Sequence, residues 1–214
     1  MTNWPLPSLD DHRRHASFVA ALRELATDAQ AGVQHRLQGL EHLWRDISPT
    51  RSLKRRELPR RAIVPTADDV ACVARFAVHP SSEVRRWVFQ ALRHATAHRE
   101  RSAPVVRGGL VDFSPAVQIH AAVAAHRLGL GEPLEAELLA ALDSPTWTVR
   151  WYAAAALATT ARRDRAAEVF AASYPERRGP HSSEYDFHAE TWRKLAVVFD
   201  PPTPAIAARL AAGT

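Results

Sequence analysis

His79-Pro80-Ser81-Ser82-Glu83-Val84-Arg85-Arg86-Trp87-Val88-Phe89-Gln90-Ala91-Leu92 begins as a turn and ends as a helix. Proline and serine stop the segment before it and cap the one that follows. From Val84 the apolar residues fall at +4, +7 and +8 (Val88, Ala91, Leu92), which is one stripe of an α-helix. Two later segments superpose on this one. Asp112-Phe113-Ser114-Pro115-Ala116-Val117 leads into Ala121, Ala124 and Ala125, and Asp143-Ser144-Pro145-Thr146-Trp147-Thr148-Val149 leads into Ala153, Ala156 and Leu157. Val84, Val117 and Val149 lie 33 and 32 residues apart, the period of paired-helix repeats.

Ahead of each turn is another helical stretch: Ala67 to Val78, roughly Glu100 to Val111, and Pro133 to Leu142. The unit is therefore helix A, a short turn, then helix B. Neither helix can bury its stripe alone, so consecutive pairs must stack. Gly108-Gly109 predicts that the second A helix is short or bent.

The Asp-x-Ser-Pro-x-Val-Arg pattern, present with one inserted residue in Asp143 to Arg150, resembles the opening of helix B in HEAT repeats. His79 to Leu92 is similar to the same consensus. The resemblance covers about 67–160 and implies an all-α fold, a right-handed α-solenoid of about five HEAT-like helix pairs. The whole chain, 1–214, reads as a single repeat domain. Residues 10–47 form an N-terminal helix pair, 48–66 a basic loop, 67–160 the regular repeats, and 161–214 an irregular C-terminal repeat and cap. Thr191 to Phe199 repeats the B pattern with Leu195, Val198 and Phe199, and Pro204 to Ala212 closes the array. Tyr174 to Phe187 is expected to be a polar loop.

Composition agrees with a helical protein. Apolar residues make up 46% of the chain and only 8 residues are glycine. No apolar run approaches the roughly 20 residues of a membrane span. Met1 to Pro7 lacks the basic-then-apolar order of a signal peptide, so the expected location is the cytoplasm, with no membrane partner. A single cysteine, Cys72, excludes an intrachain disulfide and reads as a buried thiol. The net charge is +5, and all but Lys54 and Lys194 of the 28 basic residues are arginine. Arginine binds carboxylates and phosphates through a planar fork, which suits an acidic partner.

Arginine and tryptophan recur at matching places on the B helices: Arg85-Arg86, Arg150-Trp151 and Trp192-Arg193. On a solenoid the B helices line the concave surface, where such a ladder would bind phosphates and stack on bases, or grip an acidic protein. Arg55 and Arg56, in the basic loop, extend the candidate set. The competing reading is structural: an arginine after the stripe valine belongs to the HEAT pattern, and the large rings fill gaps between repeats.

No catalytic residue is assigned. The chain holds no nucleophile elbow, no activated-cysteine motif and no glycine-rich phosphate loop. His94 and His98, or His12 and His15, share a helix face, yet no cysteine or carboxylate stands at ligand spacing, and neither a metal nor a cofactor is expected. HEAT proteins are mostly binding scaffolds, so the resemblance implies a non-catalytic scaffold or adaptor with a protein partner. DNA is the alternative partner. The size and the arginine-tryptophan ladder are similar to the HEAT-like alkylpurine DNA glycosylases. Their Trp-Asp-x-Val-Asp segment is missing, and Trp44-Arg45-Asp46 is the nearest approach to it. A structural assembly subunit is the third reading.

Overall fold

The computed structural model describes residues 6–25, 30–45, 62–174 and 183–212. Among them are eleven α-helices, three short 3₁₀ turns and no strand. None of these helices is long and apolar enough to cross a membrane. The chain gathers into two compact units, Met1–Gly109 and Leu110–Thr214.

In the first unit, α1 (Leu9–Glu24) and α3 (Ala67–Ala74) begin with reciprocal caps. Ser8 Oγ accepts from the Asp11 amide and Thr66 Oγ1 from the Asp69 amide, while each aspartate accepts from the cap residue's own N–H. Helix α2 spans Gln30–Trp44, and α3 runs on into a 3₁₀ turn, Arg75–Val78. After the His79-Pro80 turn comes α4 (Ser82–Leu92), and α5 (Arg99–Leu110) ends at the junction of the units. Gly108-Gly109 does not shorten α5, which continues through both glycines. Helix α1 packs on α2 and α3, and α4 on α2 and α3. Two helix pairs thus stack A on A and B on B around Leu22, Leu37, Trp44, Val73, Phe76 and Val88. Of the basic loop only 62–66 is described. Ile63 is buried and its amide donates to the Leu43 carbonyl at 2.9 Å.

The second unit contains α6 (Pro115–Leu128), α7 (Glu135–Ala141), α8 (Trp147–Leu157), α9 (Arg163–Ala172), α10 (Ser183–Ala196) and α11 (Pro204–Ala212). Helix α8 touches α6, α7, α9 and α10, so it is enclosed on most of its circumference. Alanines allow this: Ala121, Ala122, Ala124 and Ala125 on α6 and Ala153 to Ala156 on α8 are all buried. The stripe residues Val84, Val117 and Val149, with their +4, +7 and +8 partners, are likewise buried without exception. Helix α10 starts at Ser183, eight residues ahead of the expected Thr191, because helix-compatible residues follow Pro180 without a further glycine or proline. The expected loop is shorter by that much, and its remainder, 175–182, lies outside the described residues.

Two glycines fix how tightly the second unit closes. Gly129 ends α6 in the left-handed conformation (φ 65°), which suits a residue without Cβ. At Gly131 a Cβ would collide with the Ala156 carbonyl oxygen of α8, a backbone atom that cannot swing aside. Gly131→Ala is therefore expected to lower stability by about 1–3 kcal/mol, read as a fall in the midpoint of urea unfolding. An unchanged midpoint would mean that α8 does not pack this closely.

Candidate functional site

The residue after each stripe valine performs the same task in all three aligned repeats. Arg85 Nη1 donates to the His79 and Pro80 carbonyls at 2.7 and 2.9 Å. Gln118 Nε2 donates to the Asp112 carbonyl at 2.6 Å, and Arg150 Nη1 to those of Ser144 and Pro145 at 2.6 and 3.2 Å. A turn between two helices leaves carbonyls that no helical N–H reaches, and this side chain reaches back five or six residues to supply the donors. Arg85 is only 4% exposed. Arg85→Ala is expected to cost about 1–3 kcal/mol, because the buried turn carbonyls lose their donor. Lysine should rescue little of it, since one ammonium cannot copy the guanidinium fork. Thermal melts of both variants check this.

Arg86 is held within its own helix. It pairs with Glu83 and lies 5.2 Å from the Trp87 ring, and Trp87 Nε1 donates to the same carboxylate at 3.2 Å. Arg55 and Arg56 fall in 46–61, outside the described residues.

The other four candidates meet around the C-terminal end of α9. Trp151 Nε1 donates to the Ser173 carbonyl at 3.0 Å, and Trp192 Nε1 to that of Phe170 at 2.9 Å. Arg150 Nε donates to Ser173 Oγ at 3.2 Å, and Arg193 Nη2 reaches the Tyr174 hydroxyl at 3.4 Å. Arg209 Nε completes the set on the Ala171 carbonyl at 3.3 Å. The last carbonyls of a helix carry a partial negative charge and lack N–H partners, so indoles and guanidiniums are well matched to them. Trp151 and Trp192 are 1% and 0% exposed. Phe170 stacks on Trp192 with centroids 4.7 Å apart, and Tyr174 meets the Trp192 ring edge-on at 4.8 Å. Neither of these tryptophans offers a face to a base.

One ring in this cluster does reach the surface. Trp147, the first residue of α8, is half-buried, 4.1 Å from Trp151 and 4.2 Å from His188 between ring centroids. It precedes the stripe valine, where the other repeats have Ser82 and Pro115, so a pattern counted forward from the valine passes over it.

The first unit holds a separate charged cluster between α2 and α4. Glu41 Oε1 accepts from Arg93 Nη2 at 2.8 Å, with His94 Nε2 at 3.3 Å and Arg45 Nε at 3.9 Å. Burial alone would push this carboxyl up. The His94 ring and the charges of Arg45 and Arg93 outweigh burial and hold it at about 2. His98 turns elsewhere, to the Pro65 carbonyl, so the expected helix-face pair does not converge. Among the described residues no group of three or more histidine, cysteine or acidic side chains is placed to hold a metal. Cys72 is buried with its sulfur 3.9 Å from the Val19 carbonyl oxygen, and burial pushes its thiol up. That environment suppresses the thiolate needed for reactivity.

Compared with models of known protein families the chain matches none, and no curated protein matches it.

Proposed function

We propose that this chain is a non-catalytic helical-repeat scaffold, a right-handed solenoid of HEAT type, that binds an acidic macromolecular partner, and that the partner is a protein. The observation that carries this reading is the shared role of Arg85, Gln118 and Arg150. The polar residues that recur in the repeats bind backbone carbonyls, which is the chemistry of a scaffold. Positive charge is concentrated elsewhere. Residues 51–61 carry six basic residues and one acidic one, a surplus equal to the net charge of the entire chain. An acidic partner is drawn to that segment, Arg55 and Arg56 included.

A protein is favoured over nucleic acid because the two rings best suited to stacking, Trp151 and Trp192, are occupied inside the protein. DNA remains the second reading, since the same surplus charge attracts phosphate. Affinity purification of the wild-type chain and an Arg55→Glu/Arg56→Glu variant from the native cell separates the two. The scaffold reading expects one acidic protein, retained after nuclease treatment, eluted by salt and absent from the variant's eluate. Retention that disappears with nuclease, or release of alkylated base from DNA by the pure protein, overturns it.

A further inference from the structure

We propose that the shelf formed by Trp147 and His188, bordered by Arg150 and Arg209, is the anchor for an acidic segment of the partner protein, a refinement that rests on the scaffold reading above. Trp147 is a large ring at a position the repeat does not require to be large. It covers Trp151 from the outside, and its remaining surface is the half-exposed part of an aromatic stack that continues through Trp151 and Phe170 to Trp192. A shelf so backed is rigid, and rigid aromatic anchors lose little entropy when a partner docks.

The charge beside it is uncompensated. Arg86, Arg93 and Arg162 each meet a carboxylate, respectively Glu83, Glu41 and Glu135. Among the described residues Arg150 and Arg209 meet none. Arg150 is fixed by two carbonyls and the Ser173 hydroxyl, and Arg209 by the Ala171 carbonyl with its guanidinium 5.8 Å from the Tyr174 ring. The C-terminal dipole of α9 offsets only about half a charge, so two oriented guanidiniums retain a positive excess. Their forks are pre-organised, and the Nη2 group of Arg150 has no acceptor among the described residues.

The same unit argues for a short acidic peptide over a polynucleotide. Residues 110–214 contain ten basic and twelve acidic residues. A long phosphate chain would run onto carboxylates beyond the shelf, whereas a short segment with an apolar side chain between glutamates engages the shelf alone.

The test uses the full chain and a fluorescein-labelled peptide of glutamates around a central leucine, followed by anisotropy, with the lysine analogue as control. Binding of the glutamate peptide is expected, with none of the lysine peptide, and with roughly tenfold weaker affinity for Trp147→Ala and for Arg209→Gln. Far-UV circular dichroism and melting temperature establish that each variant is folded. If Trp147→Ala and Arg209→Gln both bind as the wild type does, while Arg55→Glu/Arg56→Glu does not bind, the shelf is wrong and the acid-binding scaffold stands. If no protein, wild type included, binds the acidic peptide, the shelf is also refuted, and the purification experiment decides the scaffold separately. Displacement of the peptide by an oligothymidylate that itself depends on Trp147 would transfer the site to nucleic acid and overturn the proposal.

Discussion

Trp192→Ala is expected to cost about 3–5 kcal/mol of unfolding free energy, the range for removing a large ring from a packed core. The indole is completely buried between Phe170 and Tyr174, and its Nε1 is the donor to the Phe170 carbonyl near the end of α9. Alanine would leave a cavity and, in addition, an unsatisfied carbonyl. Trp192→Phe separates the two contributions. It keeps most of the ring packing and loses the N–H, so about 1–2 kcal/mol should disappear. Urea unfolding followed by far-UV circular dichroism measures both. A groove ligand at this position would give the opposite pattern, with normal stability and lost binding. Unfolding of Trp192→Ala at the wild-type urea concentration would return the ring to the surface.

The arginine-tryptophan ladder is where sequence and structure part, and the reason is geometric. Counting from Val149 identifies the most apolar face of α8, and that face is buried as the spacing requires. Periodicity within one helix does not count its neighbours. Helix α8 has four, so Trp151, at +2, meets α9 where a helix with one neighbour would meet solvent. Trp192 does the same from α10. An arginine at +1 has the same sequence signature whether it faces a phosphate or its own turn. Only the position of the His79 and Ser144 carbonyls decides between them.

The Glu41 cluster escaped for a different reason. Its partners Arg93 and His94 lie 52 and 53 residues further along the chain, and no local spacing pairs them. By contrast, the repeat period, the stripes and the turn positions are local properties, and these were legible throughout 67–160. The sequence reads as one array, and its gathering into two units at Gly109 depends on contacts that a local pattern does not encode.

Glu41→Gln should be the most damaging polar substitution in the first unit. The carboxylate is 7% exposed and faces Arg45, Arg93 and His94, so glutamine leaves two guanidiniums of low exposure without their counter-charge. Breaking such a pair from one side costs about 3 kcal/mol. Its pH dependence identifies the group. The folded carboxyl titrates at about 2 and an ordinary one at 4.5, so the folded state binds fewer protons between those values. Its stabilisation is complete above pH 4.5 and drains as pH falls towards 2, amounting to about 3 kcal/mol at about 1.4 kcal/mol per unit. Burial also holds His15, His94 and His126 below the ordinary imidazole value of 6.5. Each is therefore neutral when folded, and its contribution begins to drain as pH falls below 6.5. The wild type should lose stability in two stages on acidification, imidazoles first and Glu41 second. The stability gap between wild type and Glu41→Gln should hold steady down to about pH 4.5 and then close. A gap that stays open to pH 2 would mean that Glu41 is not the ionised centre of this cluster.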